Sequence, residues 1–232
     1  MSDKVQSTQI RDARARLSAP IYPSFTRNEV IADAAVHFLG IVGSITAFAT
    51  IYLHAFSTLP TPLNIALVIY GVTVIALFTC SAAYHLTPFP EYRPFLRLCD
   101  QSAIFFKIAG SYTPIVVLVG TPLGYVLLAL IWSAAIVGSV SKFLENKMLD
   151  KHTVLIFLAM GWASLALVWP MFQTLQTQHA LLIVLGGAIY SIGVIFHQWE
   201  GLRYQNAIWH TFVLTASMIH LYAIAHAAFA TA

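Results

Sequence analysis

The chain has 232 residues, 59% of them hydrophobic and 9% charged, with a formal net charge of +3 and a mean hydropathy of +0.77. An ordinary soluble domain carries roughly 25% charged residues, so the composition excludes one and indicates an integral membrane protein. The small positive balance excludes a nucleic-acid-binding surface, which would need a dense basic patch.

In chain order, residues 1–28 form a polar segment that carries Arg11, Arg14 and Arg16. It has neither the apolar core nor the small-residue cleavage site of a signal peptide, and reads as a cytosolic, surface-lying amphipathic stretch. Residues 29–232 read as one membrane domain. A spanning helix needs about 20 mostly apolar residues. Seven such stretches are predicted, over 31–54, 63–86, 100–119, 123–141, 153–171, 180–197 and 208–230. Breakers separate them: Pro60 and Pro62, Pro88 to Pro94, Thr121-Pro122, and the polar run Gln173 to Gln178. Pro114 falls inside the third stretch and predicts a kink, which membrane helices tolerate where neighbours satisfy the freed carbonyl. Cys80 and Cys99 form no CxxC pair and no disulfide framework, which suits a reducing environment.

Loop charge gives the orientation. Lys4, Arg11, Arg14, Arg16 and Arg27 precede the first span, and Arg93 and Arg97 follow the second. Lys142, Lys147 and Lys151 follow the fourth span, and Arg203 follows the sixth. The alternate loops, 55–62, 120–122 and 172–179, hold no Lys or Arg, and only Lys107 falls within a span. By the positive-inside rule this predicts a seven-helix bundle with its N-terminus in the cytoplasm and its C-terminus outside.

Polar groups gather at the predicted cytoplasmic ends: Glu29 with His37, Ser81 with His85, Asp100, His197, and Asn206 with His210. Ionisable groups at membrane depth are costly and mark functional sites. Ser81 and His85, like Asn206 and His210, are spaced i, i+4 and share a helix face. Taken singly, each has a structural reading. His85 or His210 could bond a backbone carbonyl, Ser81 its own helix backbone, and Asp100 could cap the third helix, which it opens. Glu29 could pair with Arg27 or help to start the first helix. The coincidence of His85, Asp100 and His210 at one depth predicts instead a shared metal site. Imidazole and carboxylate suit zinc, and zinc can make water a nucleophile near neutral pH. His220 lies ten residues beyond His210, about 15 Å deeper, and is expected to make a separate contact inside the bundle. His54, His179 and His226 fall farther toward the outside, and His152 beside Lys151 suits an exposed role.

Asn28-Glu29 and Ala35-Val36-His37-Phe38-Leu39-Gly40, followed by Ser81-Ala82-Ala83-Tyr84-His85, resemble the hemolysin III family. So do Leu98-Cys99-Asp100, Ile108-Ala109-Gly110-Ser111-Tyr112-Thr113-Pro114, and Ala207-Ile208-Trp209-His210 continuing to His220. That family belongs with the progestin and adiponectin receptors and, more distantly, the alkaline ceramidases. The resemblance covers roughly residues 25–230. It implies a seven-helix bundle with zinc near the cytoplasmic face, His85 and His210 as ligands, and Asp100 engaging a zinc-bound water. It implies for Ser81 a role beside the metal or on the oxyanion side.

This sequence departs from the family pattern at Asn206, where the receptors have a third histidine. An amide oxygen is a poor zinc ligand, which leaves His85, His210 and Asp100 as the expected set, with Asn206, His37 and His197 as further candidates. The function implied is a metal-dependent hydrolase of a membrane-lipid amide or ester, acting in lipid homeostasis in a bacterial inner membrane, with membrane lipids as partners. The alternatives are a non-enzymatic sensor or receptor with a structural metal or polar cluster, and, least favoured, a pore-forming hemolysin. The charge asymmetry predicts that a reporter fluorescent only in the cytoplasm stays dark when fused after Ala232 and is bright when fused between residues 87 and 92. The opposite pattern would invert the topology.

Overall fold

The computed structural model describes residues 25–144 and 147–231. The segment read as residues 1–28 therefore lies outside the described residues as far as residue 24. Among the described residues there is no strand. The helices are α1 (Arg27–Thr58), α2 (Thr61–Leu86), α3 (Arg93–Val119), α4 (Pro122–Phe143), α5 (Lys147–Lys151), α6 (Thr153–Trp162), α7 (Leu165–Thr174), α8 (Thr177–His197) and α9 (Gln205–Ala230). Seven helical segments are long and apolar enough to cross a membrane, with α6 and α7 together making the fifth. The protein is a seven-helix integral membrane bundle.

The helix starts follow local chemistry. Thr26 caps α1 in a capping box: its hydroxyl accepts from the Glu29 N–H, and the Glu29 carboxylate accepts from the Thr26 N–H at 2.8 Å. That box lengthens α1 by four residues ahead of the predicted start. Thr121 caps α4 at the Gly124 N–H, with Pro122 in the first turn. Gly120, at φ 67°, ends α3 in the left-handed conformation that favours glycine.

Two predicted boundaries need correction. The third span does not begin at Asp100. A 3-10 turn over Pro90–Tyr92 feeds directly into α3 at Arg93, because Pro94 suits the first turn of a helix, where no N–H is required. Asp100 is therefore two turns inside α3 and caps nothing. The fifth span is not one helix but breaks at Ala163 and Ser164. There the ladder tightens to three-residue bonds, Ser164 N to Gly161 O and Leu167 N to Ser164 O. The Tyr112 hydroxyl, reaching across from α3, donates toward the carbonyls of Met160 and Gly161 at 2.7 and 3.0 Å. A broken ladder inside a membrane requires such outside partners. α3, by contrast, runs as one helix through Pro114.

The first four spans pack in sequence, the fifth lies against the third and the sixth, and α9 returns to lie against both α8 and α1. α3 is the most enclosed span, with 72% of its apolar window buried against 17% for α1. Its buried Phe105 packs on Gly138 of α4 and stands 4.6 Å from the Phe157 ring of α6, centroid to centroid. Lipid competes with any apolar side chain for a helix surface, so close approach of small residues does much of the holding. Gly110 of α3 is such a position: a Cβ there would collide with the Thr73 side chain of α2. Gly110→Val is expected to destabilise by about 1–3 kcal/mol through overpacking, read as a lower Tm in detergent. An unchanged Tm would show that the two helices are not held at this distance.

Candidate metal centre

Three helices each bring a polar pair at i, i+4 to one end of the bundle: Asp33 and His37 on α1, Ser81 and His85 on α2, and Asn206 and His210 on α9. Such a pair lies one turn apart on a single face. α3 adds Asp100. The register of α1 against α9 is set by Glu29, whose Oε1 accepts the Tyr204 N–H at 3.0 Å. Tyr204 precedes α9 at φ 61°, an uncommon conformation for a residue with a side chain.

Asp33, His37, Ser81 and His210 are all buried. The Asp33 carboxylate accepts from His210 Nδ1 at 2.6 Å and stands 3.6 Å from His37 Nδ1 and 3.8 Å from His85 Nδ1. His37 Nδ1 donates to the Asp33 carbonyl at 2.8 Å. Both rings are thus held by their Nδ1 atoms, and each turns Nε2 to the same point. Ser81 Oγ lies there, 3.2 Å from His37 Nε2 and 3.3 Å from His210 Nε2. A neutral imidazole that donates through Nδ1 can only accept through Nε2. Two lone pairs therefore face one hydroxyl that has a single proton to give. An electron-rich point of this kind, buried and bounded by nitrogen donors, fits a cation.

The His85 ring stands 4.6 Å from that of His210 and 5.7 Å from that of His37, centroid to centroid, and closes the third side. The Asn206 side-chain nitrogen lies 3.3 Å from His85 Nδ1. Asn206 therefore contacts the imidazole and steadies its orientation. Asp100 lies against Ser81, within electrostatic reach of His210 and Asp33. Asp33, His37 and His210 each offer one donor atom within 4.8 Å of the other two, a buried group that could hold a metal ion.

A family profile described as "Haemolysin-III related" matches residues 25–221. The chain is 34% identical to Hemolysin-3 of Bacillus cereus over 197 residues, covering 84% of this chain and 90% of that one. It is 35% identical to the Hemolysin-3 homolog of Bacillus subtilis, covering 83% and 91%. It is 31% identical to the human Monocyte to macrophage differentiation factor, covering 76% and 82%. The chain belongs to the haemolysin-III-related family. The match spans nearly all of the described bundle, including every residue of the cluster.

Of the residues singled out in the sequence, Ser81, His85, Asp100, Asn206, His210 and His37 meet at this one place. His197 stands at the exposed rim, its ring 4.9 Å from that of Trp209 and within electrostatic reach of His85 and His210. Ser81 does not turn back on its own helix but bridges two imidazoles. His220 donates to the Ile183 carbonyl, a separate contact within the bundle. The residue that sequence reasoning missed is Asp33. The signal was present, because Asp33 precedes His37 by four residues, the spacing that marked the other two pairs. Asp33→Ala should weaken metal retention roughly 10–100-fold, the cost of losing a carboxylate that orients a ligating histidine. Mass-spectrometric metal content under chelator competition measures it, and an unchanged affinity would remove Asp33 from the site.

Proposed function

We propose that this haemolysin-III-related protein is a metal-dependent hydrolase of a membrane-lipid amide or ester, working at the cytoplasmic leaflet of a bacterial inner membrane. The observation that supports this most is the meeting of His37 Nε2 and His210 Nε2 at the Ser81 hydroxyl, with Asp100 beside it. In this reading His37, His85 and His210 hold zinc. Three imidazoles with a nearby carboxylate are a donor set that zinc prefers and that leaves one position open. When bound, the ion supplies Lewis acidity toward a carbonyl and lowers the pKa of water.

The chain's own residues carry the rest. Asp33 fixes the rings of His37 and His210 through their Nδ1 atoms, and Asn206, with its amide turned so that the oxygen accepts from His85 Nδ1, steadies His85 where the receptors have a further histidine. Asp100 sits where a carboxylate can take the proton of an attacking water and return it to the leaving amine or alkoxide. Ser81 can donate its hydroxyl proton to the substrate oxygen as negative charge grows there. Phe25, Glu29, Val30, Tyr204 and Asn206 line a narrow cleft that reaches Asp33 and His85 from the end carrying the basic loops. The cleft has room for about one water, which could reach the site by that route.

A second reading, a metal-stapled or polar-stapled sensor without turnover, draws on one feature. The bonds from Asp33 to His210 and from His37 to Ser81 already tie α1, α2 and α9 together. Asp100→Asn separates the two. The hydrolase reading expects zinc content and Tm to stay as in the wild type while lipid amide or ester turnover falls by about 10²–10⁴-fold, the usual worth of a general base. Turnover absent in a zinc-loaded wild type across an amide and ester panel would leave the sensor, and turnover equal in wild type and variant would remove Asp100 from the mechanism.

A further inference from the structure

Lys107 is the only Lys or Arg inside a predicted span, and the centre described above makes no use of it. It is 4% exposed on α3, seven residues past Asp100 and so about 10 Å farther along the helix. Among the described residues no carboxylate pairs with it. Its ammonium nitrogen stands 4.0 Å from the centroid of the Tyr190 ring on α8. The Tyr190 hydroxyl shares a 2.6 Å hydrogen bond with Ser217 of α9. One turn on from Ser217 is His220, its ring 5.7 Å from that of Tyr190 and within electrostatic reach of Lys107. Tyr70 of α2, fully buried, adjoins Tyr190. Tyr190 and His220 are titratable neighbours of this lysine, and Tyr70 is a neighbour of Tyr190.

Two atoms here lack partners: Tyr70 Oη and His220 Nδ1. His220 Nε2 donates to the Ile183 carbonyl at 2.8 Å, so Nδ1 carries a lone pair. The imidazole is also pinned in place, since it packs on Gly186 so closely that any Cβ there would collide with it. The result is a proton donor and a proton acceptor packed against one aromatic ring, that of Tyr190, with no carboxylate among the described residues to hold the proton on either. Six residues farther along α9, about 9 Å, His226 lies exposed near the opposite end of the bundle. The rings of Tyr222 and His179 stand 4.2 and 6.3 Å from it. His179 is itself buried with Nδ1 unpartnered. Chains of ionisable side chains within a bundle are how membrane proteins relay protons.

We propose that Lys107 and His220 form a proton-exchange pair at the centre of the bundle, through which the protein passes protons between its polar end and the His179–His226 end. The pair is independent of the metal centre and of any hydrolysis there.

The test uses purified full-length protein in vesicles of neutral and anionic phospholipid with a trapped pH-sensitive dye, under an imposed pH gradient and with potassium and valinomycin to clamp the potential. Wild-type vesicles should dissipate the gradient faster than protein-free ones. Lys107→Met and His220→Gln should lose that excess. Lys107→Arg should lose it too, because arginine keeps the charge but does not release its proton. Thermal unfolding of each variant checks folding, and if Lys107→Met does not fold, the other two variants decide. Three results would overturn the proposal: wild-type flux equal to that of empty vesicles, wild-type flux retained by Lys107→Arg, or a flux that requires chloride and ignores His220→Gln. The last would make Lys107 an anion site.

Discussion

The Asp33 carboxylate, buried near one end of the first helix, is the interaction on which the arrangement of this protein turns. A charge at that depth cannot be left without partners, and the partner it finds is His210, near the start of the last helix. One hydrogen bond between residues 177 positions apart therefore closes the bundle, first helix against last. Glu29 repeats the tie one turn earlier through the Tyr204 N–H. Between them the two carboxylates fix both the distance and the register of α1 and α9. The orientation of each imidazole at the centre follows from that register.

The same constraint explains why the centre is built from pairs. A side chain four residues from a histidine lies one turn away on its own helix, near enough to take or give a hydrogen bond to the ring or to a neighbour's ring. Asp33 serves His37 through its backbone carbonyl and His210 through its carboxylate. Ser81 stands between His37 and His210, and Asn206 stands beside His85. Each helix contributes one imidazole and one group that positions an imidazole, its own or a neighbour's. Asp100 has no such companion because α3, the most enclosed span, brings it in from the side.

Elsewhere the bundle shows how a membrane interior handles exposed backbone. The break in the fifth span is tolerated because Tyr112 supplies a donor to the Met160 carbonyl and reaches that of Gly161, which Ser164 also bonds. Lys107 is harder to accommodate. It has an aromatic face but no counter-charge among the described residues, which sets it apart from Lys142, paired with Asp150 at the margin.

Much of this was legible in the sequence. The length and spacing of the apolar runs determined seven spans, because the thickness of a bilayer leaves few other solutions for so oily a chain. The i, i+4 spacing placed Ser81 with His85 and Asn206 with His210 on shared faces, because helix geometry is fixed. Asp33 was equally periodic. The start of α3 at Arg93 and the break at Ala163 and Ser164 were not legible, since they depend on a proline tolerated in a first turn and on a tyrosine from another helix. Only the tertiary structure decided that His37 joins the cluster, that His197 lies at its exposed rim, and that Ser81 bridges two imidazoles. Sequence periodicity gives the direction of a side chain about its own helix axis. Which helices stand next to each other, and at what height, is set by long-range contacts such as that between Asp33 and His210, which no local pattern encodes.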